Sequence, residues 1–241
     1  MLEFIGIDGC KYGWFVVKIN QNDWEIELIK KINELKINLE TTKKILIDIP
    51  IGLVDRHLKA RQCDQEARKL LGKRAASIFP APIREILCAD NYKNACLINR
   101  EYTGKKISLQ TWNLIPKIKE LDDFLRNNKS YIYLINESHP ELVFWFLNNK
   151  SDLKFSKKTT EGIYERLDIL LKYYQKAKVI YNFAIKKYLR KDLKKDDIID
   201  AISLATIGLI SNNNLTTIPL IPEIDKQGLE MKIVYYEPKI K

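Results

Sequence analysis

The sequence predicts an α/β fold with a mixed central sheet, an antiparallel N-terminal meander followed by parallel strands, flanked by helices. Three observations carry this. The first thirty residues hold three β-rich runs separated only by short turn segments. Two later apolar runs, 45–47 and 131–137, each end in an acid beside turn residues. Between and after them stand segments of helical spacing, the last one apolar on nearly every side.

Residues 3–8, 14–19 and 24–30 read as strands, because each is a short apolar or β-rich run bounded by turn residues. Gly9 and Gly13 bracket the first connection and 20–23 form the second, both short enough for antiparallel hairpins. Ile45-Leu46-Ile47 is a buried strand that Pro50 and Gly52 prevent from continuing. Residues 61–71 have helical spacing, with Ala67, Leu70 and Leu71 apolar and Gly72 as a stop. Segment 73–84 carries two prolines and flanking arginines; it reads equally as an ordered loop able to hold a phosphate or as a charged connection. Helices are expected over 92–100 and 108–127. In the second, Leu109, Trp112, Ile115, Ile118, Leu121 and Leu125 form a core-facing stripe, and Pro116 should kink it or mark a new start. Residues 131–137 read as a strand. A helix follows over 141–147, with Pro140 suited to its first turn and Glu141 to its positive end. Helices are expected near 163–172 and 176–190, in a basic region that reads mostly as a solvated face. Beyond Asp200 the chain is apolar all round to Ile210, the signature of a buried helix. After a polar break at 211–214 and a Pro-containing connection, 232–236 read as an edge strand. With no internal repeat and no long linker, one domain is expected over 1–241, with a helical insertion around 55–128.

Length and composition bound the function. The 241 residues, 46% hydrophobic and 30% charged, can bury a sizeable core in a soluble protein. No apolar run reaches the ~18 residues of a membrane span, and no signal-peptide pattern opens the chain; no membrane partner and a cytoplasmic location are expected. The four cysteines form no C-x-x-C pair and there are only two histidines, which argues against zinc and for reduced, mostly buried thiols. The net charge of +10 suits an anionic partner, nucleic acid first. The competing explanation is a Lys-, Ile- and Asn-rich composition in which Lys is a default surface residue.

The acids are more informative. Asp8, Asp48 and Glu137 each end a strand, and Asp197 and Asp200 share one face of the late helix. A carboxylate inside a buried helix is costly unless paired or metal-bound. Asp196 and Asp197 also suit capping and first-turn roles; Asp200 lies too far in for that. Glu141 has the structural explanation already given, and Glu137 has none as good. If the strands are parallel neighbours, ligands gather at their carboxyl ends. Clustered carboxylates suit Mg²⁺ or Mn²⁺. Two such ions about 3.5–4 Å apart activate water and steady the leaving oxygen in phosphodiester cleavage, whereas the same cluster without metal repels itself. Lys11, Arg61, Arg84, Lys117, His139 and Lys158 are the candidates to contact a substrate. His139 reads equally as a core histidine; Lys117 reads first as a solvated side chain, its place next to Pro116 being what could point it toward a site.

The order of meander, strand, helices, strand and acidic helix resembles the RNase H-like fold, and the Asp197-x-x-Asp200-Ala201 turn resembles the late helix of RuvC-type resolvases. More closely, the chain resembles the family catalogued as domain of unknown function 429, described as predicted RNase H-like nucleases. The matching segments begin with Gly6-Ile-Asp-Gly-Cys-Lys-Tyr-Gly-Trp14, Ile47-Asp-Ile-Pro-Ile-Gly-Leu53, Arg61-x-Cys63-Asp64 with Ala67-Arg68, and Ser77-Ile-Phe79 through Arg84. They continue with Pro116-Lys117-Ile118, Glu120 and Asp122, then Glu137-x-His139-Pro140-Glu141, Asp196-Asp197-x-x-Asp200-Ala201 and Asp225-x-x-Gly228-Leu229. The resemblance implies acidic metal ligands, with Mg or Mn, at Asp8, Asp48, Glu137, Asp197 and Asp200.

The leading expectation is a Mg²⁺/Mn²⁺-dependent nuclease acting on DNA or RNA; a homodimer is compatible with it. One alternative is a nucleotide-binding phosphotransferase of the actin and sugar-kinase kind, for which the chain is short and lacks a Gly-rich phosphate loop. Another is a non-catalytic nucleic-acid-binding module whose affinity falls steeply with salt.

Overall fold

In the computed structural model, residues 1–55 and 60–238 are described. The chain divides into two compact units. The first contains Met1–Asp48, Tyr133–Thr216 and the described residues from Val234 onward; the second contains the described residues of Ile49–Ile132, with Thr217–Ile233. The sequence reading expects one domain with an insertion around 55–128. The structure extends that segment to 49–132 and joins residues 217–233 to it.

The first unit is built on strands β1 (Glu3–Gly9), β2 (Trp14–Ile19), β3 (Trp24–Ile29), β4 (Thr42–Ile47) and β5 (Ile135–Glu137), in the sheet order β3-β2-β1-β4-β5. The meander pairs are antiparallel, while β1–β4 and β4–β5 are parallel. Ile7 lies level with Ile47, and Ile47 with Glu137, so the carboxyl ends of β1, β4 and β5 stand side by side. This is the mixed sheet that the sequence predicts. Strand β5 is shorter than expected: residues 131–134 continue a helical turn, with Tyr131 N–H donating to Asn128 O at 2.9 Å.

The helices are α1 (Gln62–Leu71), α2 (Tyr92–Thr103), α3 (Leu109–Asn127), α4 (Pro140–Leu147), α5 (Thr160–Leu171), α6 (Ala177–Lys187) and α7 (Lys195–Ser211). None is long and apolar enough to cross a membrane, among the described residues. In the first unit α7 lies against β1. Strands alternate their side chains between faces, so Phe4, Gly6 and Asp8 share one face, with Phe15 and Val17 beside them. A Cβ on Gly6 would stand 2.1 Å from the Ala201 carbonyl oxygen and 2.4 Å from the Ala205 nitrogen. The absent side chain therefore lets helix backbone touch strand backbone. Phe4, Phe15, Val17 and Leu46 pack there with Val143 and Phe144 of α4, Ile163 of α5, Ile180 of α6 and Ile199 and Ile202 of α7. Residues 198–208 of α7 are buried without interruption, as a helix apolar on every side must be.

The second unit holds α1, α2, α3 and residues 217–233 of a two-stranded sheet formed by β6 (Thr216–Ile224) and β7 (Glu230–Tyr235). The sequence reading saw β7 but not β6, whose Pro219 and Pro222 argue against a ladder. Helix α3 runs through Pro116 without ending. Leu109, expected in its core stripe, is 62% exposed because it sits in the first turn, whereas Ile115, Ile118, Leu121 and Leu125 are buried.

Gly6→Ala should destabilise the protein by more than the roughly 1–3 kcal/mol usual for overpacking, since the obstructing atoms are backbone. Urea unfolding measures this, and an unchanged midpoint would show that α7 does not approach β1 so closely.

Candidate functional site

The parallel strands and α7 bring acids together inside the first unit. Asp8 is the penultimate residue of β1, 8% exposed, on the face against which α7 packs. Its Oδ1 accepts from Gly9 N–H at 2.8 Å. Asp48 directly follows β4; its N–H donates to Ile7 O at 3.2 Å, which carries the strand pairing one residue further. Asp200 is 2% exposed and precedes Ala201, the residue that abuts Gly6. The close approach at Gly6 thus delivers an acid of α7 to the acid two residues along β1. Asp197, in the first turn of α7, accepts from Lys194 N–H at 3.0 Å. It therefore serves as a cap as well as a member of the group.

Burial pushes every one of these carboxyls upward, and they push each other. Asp8 is raised well above its ordinary value by burial and then by the charges of Asp200, Asp48 and Asp197. Burial takes Asp48 to about 7, opposed by Lys157 and reinforced by Glu141. Asp200 is taken to about 6 by burial, opposed by Lys157 and reinforced by Asp48 and Glu141. Asp197 reaches about 6 through burial, despite its bond from Lys194. The opposing cation is Lys157, whose Nζ pairs with Asp200 Oδ2. Burial disfavours its charge, but Asp200, Asp8 and Asp48 together hold it protonated. The second oxygen of Asp200 is buried without a hydrogen-bond partner.

Lys157 is held in place by its loop. Lys154 and Phe155 donate their N–H groups to the Glu165 carboxylate at 2.8 and 3.0 Å. The fully buried Arg166 donates to Phe155 O at 3.3 Å, to Gly162 O at 3.1 Å and to Glu141 Oε1 at 2.5 Å. Thr159 caps α5 through Gly162 N–H at 3.1 Å. A Cβ on Gly162 would stand 1.9 Å from Ser156 O, so this glycine is what lets the loop close on the helix.

The predicted residues divide. Asp8, Asp48, Asp197 and Asp200 come together. Glu137 lies level with Ile47. The alternation that puts Asp8 on the α7 face puts Glu137 on the other one. Glu141 lies in the first turn of α4, as the sequence reading has it, and its charge also reaches Asp48 and Asp200. Lys11 is exposed in the β1–β2 turn, His139 is half-buried at the start of α4, and Lys158 is exposed beside Lys157. Three candidates belong to the second unit. Arg61 is 1% exposed, paired with Asp64 and donating to Ile51 O and Gly52 O at 3.1 and 3.2 Å. Arg84 pairs with Asp122 at 2.8 Å and with Asp225. Both arginines tie that unit together, and Arg61 offers no surface to a ligand. Lys117 is half-buried in α3. Sequence reasoning missed Lys157, which stands in a Lys-Lys pair with nothing to single it out, and Arg166.

Among the described residues, no group of three or more His, Cys, Asp or Glu side chains is already arranged to hold a metal ion. The chemistry of the donors nevertheless fits a hard divalent cation. They are carboxylate oxygens, one of them a buried oxygen lacking a partner. Lys157 sets one positive charge against Asp8, Asp48 and Asp200.

A carboxyl raised on folding keeps a proton that the unfolded chain, with a value of about 3.9, has already lost. That contribution is full below about pH 4 and disappears as pH rises through about 7 for Asp48. In metal-free buffer Asp48→Asn should therefore melt higher than wild type at about pH 8, with the advantage shrinking toward about pH 4. A difference independent of pH would remove Asp48 from the cluster.

Neither curated proteins nor solved structures gave a match to the chain. A family described as "Protein of unknown function (DUF429)" matches residues 6–223, nearly the whole length, and the chain belongs to that family.

Proposed function

We propose that this protein is a Mg²⁺- or Mn²⁺-dependent nuclease with an RNase H-like fold. The observation that carries the reading is the meeting of Asp8, Asp48, Asp197 and Asp200, from two strand ends and one buried helix, in a group whose charges raise one another. An antiparallel meander whose first strand also pairs in parallel with β4 supports the same reading. Asp8, Asp48 and Asp200 would hold the metal, with Asp197 at the edge of the group. When bound, such an ion supplies charge stabilisation and an activated water for phosphodiester hydrolysis. The chain itself contributes the rest. The Gly6 contact fixes Asp200 against the strand ends, and Gly9 N–H holds one oxygen of Asp8. The Asp197 cap fixes the first turn of α7. Lys157 partly neutralises the acids while the clamped loop keeps it in place.

One observation favours a second reading. Lys157 already supplies a compensating cation, so the cluster can be tolerated by a module that binds nucleic acid without cleaving it.

Labelled DNA, RNA and branched substrates incubated with Mn²⁺ decide between them. Cleavage by the wild type should fall in Asp8→Asn and Asp200→Asn by more than the roughly 10–100-fold cost of losing an outer-shell partner. Asp8→Asn removes buried like charge, whereas Asp200→Asn also takes the ion-pair partner of Lys157, so the folding of each variant is checked by circular dichroism. Activity unchanged in both variants would sink the nuclease reading, and no cleavage of any substrate would favour the binding module.

A further inference from the structure

A cleft of about 510 Å³ opens in the first unit between α5, α6 and the amino end of α7. Its charge is one-sided. Lys157 and Lys158 line it from the loop before α5, Arg190 from the connection after α6, and Lys194 and Lys195 from the start of α7. Among the described residues that line it, Asp196 is the one acid against these five cations, of which Lys157 also pairs with Asp200. The amino ends of α5 and α7 both border it, and their partial positive charge adds to the field. Two tyrosines also line it. Tyr164 is 52% exposed and offers an aromatic face. Tyr181 is buried, its hydroxyl within electrostatic reach of Tyr164, Arg190 and Asp196.

We infer that this cleft seats single-stranded nucleic acid, with the cations on successive phosphates and Tyr164 stacking on a base. The inference rests on the nucleic-acid reading above and assigns it a groove. Two features favour a strand over a single phosphate group. The cations come from three separate segments, which suits several phosphates in a row. The cleft also adjoins the acidic group, because Lys157 lines it while pairing with Asp200, and Asp196 lines it next to Asp197. A strand lying in it would continue toward the carboxylates. Tyr164, Tyr181 and Arg190 fall in a region that the sequence reads mostly as a solvated basic face, and Lys194 and Lys195 open the acidic helix without being singled out.

The test is fluorescence anisotropy with labelled 12-nucleotide DNA and RNA in EDTA, so that binding is read without hydrolysis. The variant is Arg190→Gln with Lys194→Gln. The control, Lys36→Gln with Lys43→Gln, removes the same charge elsewhere. The cleft variant should weaken binding at least tenfold, and its plot of log affinity against log salt should be shallower by about 1.4, or 0.7 per lost phosphate contact. The control should stay within about twofold, since surface charge away from the groove acts only through a screened field. Equal losses in both variants, or none in the cleft variant, would overturn the inference. Inorganic tripolyphosphate should compete far less well than unlabelled 12-mer; equal competition per phosphate would overturn the strand assignment. Tighter binding of one labelled strand than the other assigns the cleft to DNA or to RNA. Because metal is absent, this result does not depend on whether Asp8→Asn and Asp200→Asn lose cleavage.

Discussion

The contact between Gly6 and Ala201 is the constraint on which the site depends. Helix–sheet packing ordinarily leaves room for a layer of side chains. Here a β1 residue without one lets the α7 backbone reach the strand. That approach has two consequences. It requires α7 to be buried on every side, as Ile198 through Gly208 are, with the hydroxyls of Ser203 and Thr206 donating back to helix carbonyls. It also fixes where Asp200 sits, because Asp200 precedes the residue in contact. An acid at the buried start of that stretch cannot swing out to water without drawing the helix off the sheet.

The second constraint is electrostatic. Four acids raised together would leave the first unit poorly balanced at neutral pH, since desolvation and like charge act in the same direction. The fold answers with Lys157, and the surroundings of that lysine show what its position requires. Glu165 holds the backbone before it, Arg166 braces the loop from below, and Gly162 lets the Ser156 carbonyl come close. Arg166 also pairs with Glu141, whose charge reaches Asp48 and Asp200. Loop, α4 and α7 therefore form one network. A change at Arg166 would act on the acids from a distance, by releasing Glu141 and loosening Lys157 together.

Much of this arrangement is legible in the sequence, and the reasons are local. Strands β1 to β4 are apolar or β-rich runs cut by glycine, proline or polar turns, and α7 is too apolar for any other place. Asp8, Asp48 and Asp200 stand out because each interrupts such a run. Side-chain parity at strand ends is less visible. Glu137 and Asp48 look alike as acids closing apolar strands, yet the register places Glu137 one step out of phase. Lys157 is invisible for a different reason. Its role comes from a loop whose shape depends on Glu165 and Arg166, eight and nine residues away, while its neighbour Lys158 remains exposed. Arg61 and Arg84 mislead in the opposite sense. Arg84, flanking a segment with two prolines, suggests a phosphate cradle, and Arg61 reads as a substrate contact, whereas the pairs with Asp122, Asp225 and Asp64 use them to hold the second unit together.

Stability alone does not account for the cluster. Well-packed uncharged residues of similar volume are often as good as, or better than, buried charges. Asn would fill the space of Asp8, Asp48 or Asp200 without mutual repulsion. Asp197 differs, because its carboxylate caps α7. Among the described residues Asp8 and Asp48 cap no helix and form no ion pair, and one oxygen of Asp200 is buried without a hydrogen-bond partner. Lys157 pairs with the other oxygen of Asp200 and lies at the margin of the basic cleft. Unsatisfied acid and exposed base thus adjoin each other. A ligand carrying phosphate oxygens together with a divalent cation would satisfy both, and neither an apolar ligand nor a simple anion would. The proposed phosphodiester chemistry rests on this complementarity together with the meeting of the acids.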